Sequence, residues 1–319
     1  MKFSRQTTLR SQATVTGVGV HSGRPASLTI GPADINAGFI FVRTGLEGAD
    51  REVRANAKAV IATELATVLG DGDGALVSTA EHVLAALRGM GVDNAIIEAD
   101  GPEVPIMDGS AAPFVAAIEQ AGIREQSAPR RYIQVLKPVQ VAIGDSFGEL
   151  RPNPRGFRTE IEIDFANPMI GRQRFCCDLD PETFRRDVCR ARTFGSMNDV
   201  TRLWSLGYAL GASFENSIVF DETRMLNTEG LRYTDECVRH KVLDAIGDLA
   251  LAGLPLLGTY RSVRGGHKLN HAVLTALLDD HKAWRVVEAE PARRQRPQAE
   301  AAGGMVGGMI APAYGPDVS

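Results

Sequence analysis

One long helix dominates the sequence: Val238-Arg239-His240-Lys241-Val242-Leu243-Asp244-Ala245-Ile246-Gly247-Asp248-Leu249-Ala250-Leu251, an apolar run that carries a polar stripe. A helix turns about 100° per residue, so His240 and Asp244 share one face and Asp248 follows one turn later. An imidazole and a carboxylate placed this way can hold one divalent metal ion, and a second carboxylate can orient neighbouring groups. The alternative is a solvated helix face, but such a face is rarely surrounded by Val, Leu, Ala and Ile.

Composition limits the classes of protein that this chain can represent. Its 319 residues are enough for two domains of ordinary size, and 44% of them are hydrophobic, which allows a sizeable core. The net charge of −4, without a basic stripe of interleaved aromatics, argues against a nucleic-acid partner. The four cysteines form no C-x-x-C pair, so a thiolate zinc site or a secreted disulfide framework is not expected.

The sequence also carries no targeting or membrane-spanning signal. The first residues lack the apolar core of a signal peptide, and no run approaches the ~20 apolar residues of a membrane span. We therefore expect a cytoplasmic protein with at most peripheral membrane contact.

The pattern in the first half predicts short strands around a helix. Strands are expected at 26–30, 39–43 and 93–98. Ser78-Thr79-Ala80-Glu81 has the form of a capping box, which predicts a helix over 82–90, and Pro113 is typical of the first turn of another.

The second half repeats this pattern faintly. Residues 127–131 resemble a linker, and strands are expected beyond it at 132–143 and 157–165. Residues 216–220 echo residues 94–98, and each half contains a helix with a histidine. Two similar α+β domains are predicted, with a site between them that draws one histidine from each.

Three of the six histidines occur in unusual contexts. His82 follows Glu81 at the start of a helix, His240 begins the H-x-x-x-D pair, and His267 follows two glycines, where the backbone can approach a ligand closely. Three nitrogen or oxygen ligands with an open position are typical of catalytic zinc, which His82, His240 and Asp244 together would supply. If His82 is a ligand, Glu81 is placed to act as a general base. The alternatives are a capping-box glutamate at Glu81, a half-buried helix histidine at His82 and a polar loop residue at His267.

Several motifs, in order along the chain, carry a closer resemblance. They are Thr16-Gly17-Val18-Gly19-Val20-His21-Ser22-Gly23, residues 78–87, Pro105-Ile106-Met107-Asp108-Gly109-Ser110-Ala111-Ala112-Pro113-Phe114, Ala191-Arg192-Thr193-Phe194-Gly195, Leu226-Asn227-Thr228-Glu229-Gly230-Leu231-Arg232, residues 238–249 and Gly266-His267-Lys268-Leu269-Asn270. Through these segments the chain closely resembles the UDP-3-O-acyl-N-acetylglucosamine deacetylases, zinc enzymes of lipid A synthesis.

The resemblance implies a fold and a domain division. The fold is α+β, with two similar domains packed as a β-α-α-β sandwich and a small insert in each. Domain I would span residues 1–126 with its insert near 60–77, and domain II would span 130–288 with its insert near 196–212. Residues 291–319, rich in Pro, Ala, Gly and Arg, are expected to form a disordered tail.

The resemblance also implies a role for each candidate residue. His82, His240 and Asp244 would bind zinc, Glu81 would be the general base, and His267 would stabilise the oxyanion and protonate the leaving amine. Asp248 would hold His267 and raise its pKa, since a nearby carboxylate favours imidazolium. The remaining roles are an oxyanion donor at Thr193 and a positive charge beside the scissile amide at Lys241, for which the alternative is a surface lysine.

Substrate contacts are implied for a further set of residues. Met197, Val200 and Leu203 follow helical spacing and would form a hydrophobic passage for the acyl chain, although a small core patch is the commoner meaning of such a stripe. Phe194 would be an aromatic residue that contacts the substrate, and Phe165 would stack on the uracil. Arg264 would pair with the diphosphate, and His21 would lie near the sugar. For Arg264 the alternative is a solvated loop charge.

Two further hypotheses compete with this interpretation. One is a metal hydrolase of the same fold that acts on another acyl sugar, and the other is a binding module, because fold alone does not define function. The acidic net charge and the complete set of candidate residues argue against the binding module. We expect a monomer with one Zn²⁺ and a small-molecule substrate, and Fe²⁺ as a possible substitute, because imidazole and carboxylate accept both metals.

Overall fold

The computed structural model describes residues 4–47, 51–70 and 76–289, with the helices and strands given in this and the next paragraph. Two helices, α1 and α5, lie against each other at the centre of the molecule. The helices are α1 (Glu81–Gly89), α2 (Ala112–Ala121), α3 (Pro181–Thr183), α4 (Met197–Ser205), α5 (Glu236–Ala250) and α6 (His267–Asp279). Every residue of α1 is buried, so this short helix has no solvated face.

Strands flank the helices in both halves of the chain. The strands of the first half are β1 (Arg5–Leu9), β2 (Ala13–Val18), β3 (Pro25–Pro32), β4 (Phe39–Arg43), β5 (Glu52–Arg54), β6 (Val60–Ala62), β7 (Val68–Gly70), β8 (Leu76–Val77), β9 (Ala95–Ala99) and β10 (Ile123–Pro129). Those of the second half are β11 (Arg131–Val135), β12 (Val139–Ile143), β13 (Ser146–Arg151), β14 (Phe157–Asp164), β15 (Arg172–Asp178), β16 (Phe194–Ser196), β17 (Ile218–Phe220), β18 (Leu256–Val263) and β19 (Trp284–Glu288).

The helices form two inner layers between two outer sheets. A five-stranded sheet of order β2-β3-β9-β4-β5 carries α2, which packs on β2 and β3 and also contacts α1. A seven-stranded sheet carries α5 and α6, with α5 on β14 and β15 and α6 on β12 and β13. Because α1 then packs on α5, the architecture is a β-α-α-β sandwich of the α+β class, and one hydrophobic core runs through all four layers.

The predicted linker at 127–131 is wrong, because most of it belongs to a strand. β10 runs to Pro129 and pairs antiparallel with β1, so that Arg5 lies opposite Pro129. Only Arg130 separates the end of β10 from Arg131, the first residue of β11. The Ser-Ala-Pro composition favours a loop, but an edge strand tolerates proline where its missing N–H faces away from the ladder.

Two other strand predictions also need correction. The strand expected at 132–143 is two strands, β11 and β12, separated by a break at Lys137-Pro138, since proline cannot continue a ladder. Residues 216–220 are not the counterpart of residues 94–98. β9 lies in the middle of the five-stranded sheet, whereas β17 pairs only with β16 in a separate two-stranded sheet.

The two predicted inserts contain small units of their own. Residues 60–77 hold the three-stranded sheet β6-β7-β8, apart from residues 71–75, which lie outside the described residues, and residues 196–212 hold α4. The predicted tail at 291–319 also lies outside the described residues. Among the residues that the structure describes, no helix has the length and apolar character needed to cross a membrane.

Candidate active site and metal centre

The start of α1 places Glu81 and His82 in the interior. The predicted capping box is wrong: the N-cap residue is Ala80, it makes no side-chain cap, and Glu81 accepts instead from the backbone N–H of Thr67 at 3.1 Å. Thr79, just before the helix, has a φ of 58°, which is strained for a β-branched residue. A local capping motif has therefore been overridden by a tertiary role for Glu81.

His82, His240 and Asp244 come together where α1 meets α5. Each offers one ligand atom, and these atoms lie within 4.8 Å of one another in a fully buried group. Asp244 Oδ1 is 3.4 Å from His240 Nε2 and 3.7 Å from His82 Nε2. The helical spacing therefore provides two members of the cluster, and the packing of α1 on α5 provides the third.

Neighbouring groups orient two of these side chains. His240 Nδ1 lies 3.0 Å from the carbonyl oxygen of Ala191, which leaves Nε2 facing Asp244. Burial lowers the pKa of His240 to about 3, against the opposing effect of Asp244, so its imidazole is neutral and can act as a ligand. Lys241 Nζ donates to Asp244 Oδ2 at 2.8 Å; burial alone would raise the pKa of Asp244, but His240 and Lys241 hold it well below its usual range.

One buried atom of the cluster indicates that it suits a metal ion. Asp244 Oδ1, the oxygen nearest to the Nε2 atoms of both histidines, has no hydrogen-bond partner among the described residues. A buried carboxylate oxygen without a partner is costly, and a cation held by Asp244, His82 and His240 would remove that cost. The donor set of two imidazoles and one carboxylate also matches the pattern of catalytic metal sites.

Glu81 and His267 face each other beside this cluster. His267 Nε2 is 3.8 Å from Glu81 Oε1, and its Nδ1 is 2.9 Å from Asp248 Oδ2. Burial alone would lower the pKa of His267, but Asp248 and Glu81 raise it to about 10, so its imidazole is protonated at neutral pH. Burial raises the pKa of Glu81, although His267 and His82 oppose the shift. The pair thus combines a proton acceptor of raised basicity with a stable proton donor.

Sequence reasoning missed the residues that hold Asp248. Thr67 Oγ1 donates to Asp248 Oδ1 at 2.5 Å, and Asn270 Nδ2 donates to Oδ2 at 2.8 Å. Tyr260 in turn donates to Asn270 Oδ1 at 2.6 Å. Thr67 contacts both acids, since its N–H binds Glu81 and its hydroxyl binds Asp248. Asn270 falls within the last matching motif, which was the one available signal for it.

A glycine allows α1 and α5 to approach closely at this point. A Cβ on Gly247 would overlap the carbonyl oxygen of Glu81, which is a backbone atom that cannot rotate away. Glycine is therefore required at this position for close packing rather than for an unusual φ.

A buried ion pair positions the segment that carries Thr193 and Phe194. Arg192 is 1% exposed and Glu236 is 0% exposed, and Arg192 Nε donates to Glu236 Oε1 at 3.0 Å. Arg192 also donates to Glu229 and to the carbonyl oxygen of Gly230. The next residue, Thr193, is bound through its backbone, its N–H donating to Gly109 at 2.8 Å.

A cavity of about 940 Å³ lies above the cluster, near the upper end of the size range for small-molecule sites. Its floor includes Glu81, His82, His240, Lys241, Asp244 and His267, and Thr193 lies on its wall. Met197, Val200 and Leu203 of α4 line one side, and Leu65 and Ala66, which sequence reasoning missed, come from the other insert. The apolar stripe of α4 thus faces the cavity instead of forming a core patch, since no residue of α4 is buried.

Aromatic side chains stand near the floor of the cavity. Phe165 and Phe194 make an edge-to-face contact with centroids 5.4 Å apart, and Lys241 Nζ lies 5.6 Å from the Phe194 ring. His21 also lines the cavity and packs against Tyr208, and its backbone N–H donates to Glu103 at 2.7 Å. Lys241 is therefore not a surface lysine.

Arg264 is the predicted site residue that the structure places apart from the others. Its guanidinium forms an ion pair with Asp164 and lies 3.7 Å from Asp145, and it does not line the large cavity. Its φ of 54° is unusual for a non-glycine residue. A diphosphate would have to compete with these two carboxylates for Arg264.

Comparison with known proteins identifies the family. A buried cluster of two histidines and a carboxylate, beside a further carboxylate and histidine, is the arrangement typical of a metal-dependent enzyme. The family model for UDP-3-O-acyl N-acetylglycosamine deacetylase matches residues 6–279. Curated proteins named UDP-3-O-acyl-N-acetylglucosamine deacetylase from Brucella ovis, Brucella abortus and Brucella melitensis are each 49% identical over 285 residues, which is 89% of this chain and 99% of the relative.

The chain therefore belongs to the UDP-3-O-acyl-N-acetylglucosamine deacetylase family. The match runs from β1 to the end of α6 and includes both central helices, whereas β19 of the seven-stranded sheet lies beyond it.

Proposed function

We propose that this protein hydrolyses the N-acetyl group of UDP-3-O-acyl-N-acetylglucosamine and releases acetate in lipid A biosynthesis. One observation carries the proposal: the buried cluster of ligands lies next to Glu81 and His267 on the floor of a single large cavity. Amide hydrolysis needs an activated water, a polarised carbonyl and a protonated leaving nitrogen, and these groups can supply each of them.

The metal assigned to the site is zinc, held by His82, His240 and Asp244. When bound, zinc lowers the pKa of water to roughly 7 and polarises the substrate carbonyl. The support is the neutral imidazole of His240 and the unpartnered oxygen of Asp244. Ferrous iron is the second candidate, because the same donors accept it.

Glu81 is assigned as the general base and His267 as the general acid. Glu81 Oε2 is held by the Thr67 N–H, which leaves Oε1 to accept the proton of the attacking water. His267 Nδ1 donates to Asp248, so the proton on Nε2 faces the cleft and can stabilise the oxyanion and then pass to the leaving amine. Asp248 is a positioning residue that keeps His267 protonated.

Two further residues are assigned to the reacting amide. Thr193 donates a hydrogen bond to the tetrahedral oxyanion, supported by its place on the cavity wall. Lys241 supplies positive charge near the scissile bond and also fixes Asp244, to which it already donates.

The cavity wall is assigned to the rest of the substrate. Met197, Val200 and Leu203 would enclose the acyl chain, since these apolar side chains and Leu65 line the same cavity. Phe194 and Phe165 would contact the substrate, Phe165 by stacking on the uracil, and His21 would contact the sugar. Arg264 would bind the diphosphate after exchanging its present partner Asp164.

The compartment and assembly are also proposals. We assign the protein to the cytoplasm as a monomer, with two domains that meet at residues 126–130 and at most peripheral contact with a membrane. The groups assigned above need no residue from a second subunit, which supports a monomer.

The direct test measures acetate release from UDP-linked sugars with 3-O-acyl chains of different length. The zinc-loaded protein should release acetate, and Leu203→Trp should lower kcat/KM for long chains by about tenfold or more while sparing short ones. Leu206→Trp is the matched control, because Leu206 is 63% exposed and does not line the cavity. No acetate from any chain length, or equal loss in both variants, would contradict the proposal.

A metal assay completes this test. Chelation should abolish acetate release and added Zn²⁺ should restore it, whereas His240→Ala should bind less metal and stay inactive. A fully active His240→Ala protein would exclude the proposed ligand set.

A further inference from the structure

Thr67 contacts both sides of the acid–base pair formed by Glu81 and His267. Its N–H donates to Glu81 Oε2 at 3.1 Å, and its hydroxyl donates to Asp248 Oδ1 at 2.5 Å. The other oxygen of that carboxylate, Oδ2, lies 2.9 Å from His267 Nδ1. Thr67 is 2% exposed, so water competes little for these contacts.

The chemistry of Asp248 determines the direction of the hydroxyl bond. A carboxylate only accepts hydrogen bonds, so the Thr67 hydroxyl donates its single proton to it. A separation of 2.5 Å is typical of a charge-assisted O–H···O⁻ bond, which is about twice as strong as a neutral one. Thr67 Oγ1 is also 3.4 Å from His267 Nδ1, which is too long to compete with the bond between Nδ1 and Asp248. The hydroxyl therefore fixes the carboxylate and not the ring itself.

The two oxygens of Asp248 are held by different donors. Oδ2 accepts from Asn270 Nδ2 at 2.8 Å and binds the His267 ring, while Oδ1 accepts from Thr67. Without the hydroxyl, Oδ1 would lose this donor while it stays buried, which is costly for a charged group. The carboxylate would then rotate toward other donors, and Oδ2 would move away from His267.

The backbone of Thr67 is held separately from its hydroxyl. Its N–H binds Glu81, and its carbonyl oxygen accepts from the N–H of Ala80 at 3.3 Å. β7 begins at the next residue and pairs with β6 and β8. Because these contacts use only backbone atoms of Thr67, a substitution of its side chain can remove the hydroxyl and leave them in place.

We propose that Thr67 is a positioning residue for the deacetylation: its hydroxyl fixes Asp248 and through it the ring of His267, while its N–H fixes Glu81. This role rests on the proposed function, because it is defined by the tasks assigned there to Glu81 and His267. Holding both from one residue maintains the 3.8 Å separation between His267 Nε2 and Glu81 Oε1, and small displacements of such groups are costly in rate.

Kinetics of side-chain variants give the first test. Thr67→Val has nearly the same shape but cannot donate, so it should lower kcat for acetate release by about tenfold or more and change KM by less than about twofold. Thr67→Ser restores the donor and should keep kcat within about threefold of the wild type. Thr159→Val is the matched control, because Thr159 is also buried, lies 3.3 Å from Cys177 Sγ and does not line the large cavity; its kcat should be unchanged.

Proton NMR of the zinc-loaded full chain reports on the same contacts without turnover. A proton held between His267 Nδ1 and Asp248 should resonate far downfield, and its absence in His267→Gln assigns it. Thr67→Val should shift or broaden this resonance, whereas Thr67→Ser and Thr159→Val should leave it in place. In the wild type, the Thr67 hydroxyl proton should exchange slowly with water and show an Overhauser effect to the Nδ1 proton, since Oγ1 and Nδ1 are 3.4 Å apart.

The outcomes separate this role from the proposed function. A wild-type kcat in Thr67→Val would overturn the role whatever the spectrum shows, and so would an unchanged downfield resonance or equal losses of kcat in Thr67→Val and Thr67→Ser. If Thr67→Val does not fold, a Thr67 hydroxyl proton that exchanges freely in the wild type overturns it instead. A wild type that releases no acetate contradicts the proposed function, and the NMR comparison then still decides whether Thr67 holds Asp248.

Discussion

Two buried groups of charged residues lie close together in this protein and differ in one respect. In the anchor pair, Arg192 and Glu236, every charged atom has a partner within the chain. In the cleft cluster, which we define as Glu81, His82, His240, Asp244, Asp248 and His267, Asp244 Oδ1 and His82 Nδ1 have none among the described residues. Since orphaned buried polar atoms are costly, the difference separates a group that holds the backbone from a group that awaits a ligand.

The largest expected effect distinguishes the two groups by chemistry. Glu81→Gln keeps the shape of the side chain and its contact with the Thr67 N–H, but removes the base, so kcat for acetate release should fall by about 10²- to 10⁴-fold with little change in melting temperature. Glu236→Gln, a matched change in the anchor pair, should instead lower the melting temperature. A Glu81→Gln protein with normal kcat would remove the base assignment.

Breaking the anchor pair should produce the next largest effect, on stability. Arg192→Met leaves Glu236 buried and uncompensated, which should reduce the free energy of unfolding by about 3–5 kcal/mol. Urea denaturation measures this, and Arg285→Met on the surface of β19 is the control, for which less than about 0.5 kcal/mol is expected. A loss as small as that of the control would show that the pair is not an anchor.

Metal removal should affect the cleft cluster alone. With free Zn²⁺ at 100 times its Kd, the wild type should gain about 2.7 kcal/mol of stability, because binding to the folded state shifts the unfolding equilibrium. His240→Ala should lose most of this gain, while Glu236→Gln should keep it. Thermal melts with and without chelator measure the difference, and an equal zinc response in wild type and His240→Ala would contradict the ligand assignment.

The smallest expected effect is a shift of a pH profile. Burial would lower the pKa of His267, but Asp248 and then Glu81 raise it to about 10. The acid form of His267 is therefore present at neutral pH and is lost as the pH rises through about 10. Asp248→Asn removes a raising charge, so the alkaline limb of kcat should move to lower pH, by about one unit or more, equivalent to about 1.4 kcal/mol.

The acidic limb of the same profile serves as the internal control. Asp248 contributes less than burial does to the raised pKa of Glu81. Asp248→Asn should therefore move the acidic limb only slightly, and to lower pH. An unchanged alkaline limb in Asp248→Asn would mean that another group sets it.

Spacing along one helix was enough to predict that His240 and Asp244 share a face, because helical geometry is local. The grouping of His82 with them was suggested by the faint repeat and strengthened by the family resemblance, but spacing alone could not give it, since it depends on how α1 packs on α5. The same limit explains why the capping box predicted at Ser78 to Glu81 is wrong. A local motif gives no sign that a tertiary contact has claimed its glutamate.

The fold class was predictable from the resemblance, whereas strand limits were not. The Ser-Ala-Pro composition of residues 127–129 favours a loop, yet pairing with β1 makes them part of a strand. Thr67 and Asn270 were missed because their hydrogen bonds to Asp248 form only after segments distant in the sequence meet.

Gly247 has a consequence for how this gene can vary. Any single-nucleotide change that replaces this glycine by another amino acid adds a Cβ, and that atom would overlap the backbone of Glu81. An amino-acid substitution at position 247 would therefore displace Glu81, the proposed general base, although residue 247 does not line the cavity. An inhibitor that fits the spacing between α1 and α5 at this point would therefore contact a surface with a strong constraint. A substitution at position 247 could not change that spacing without also moving Glu81.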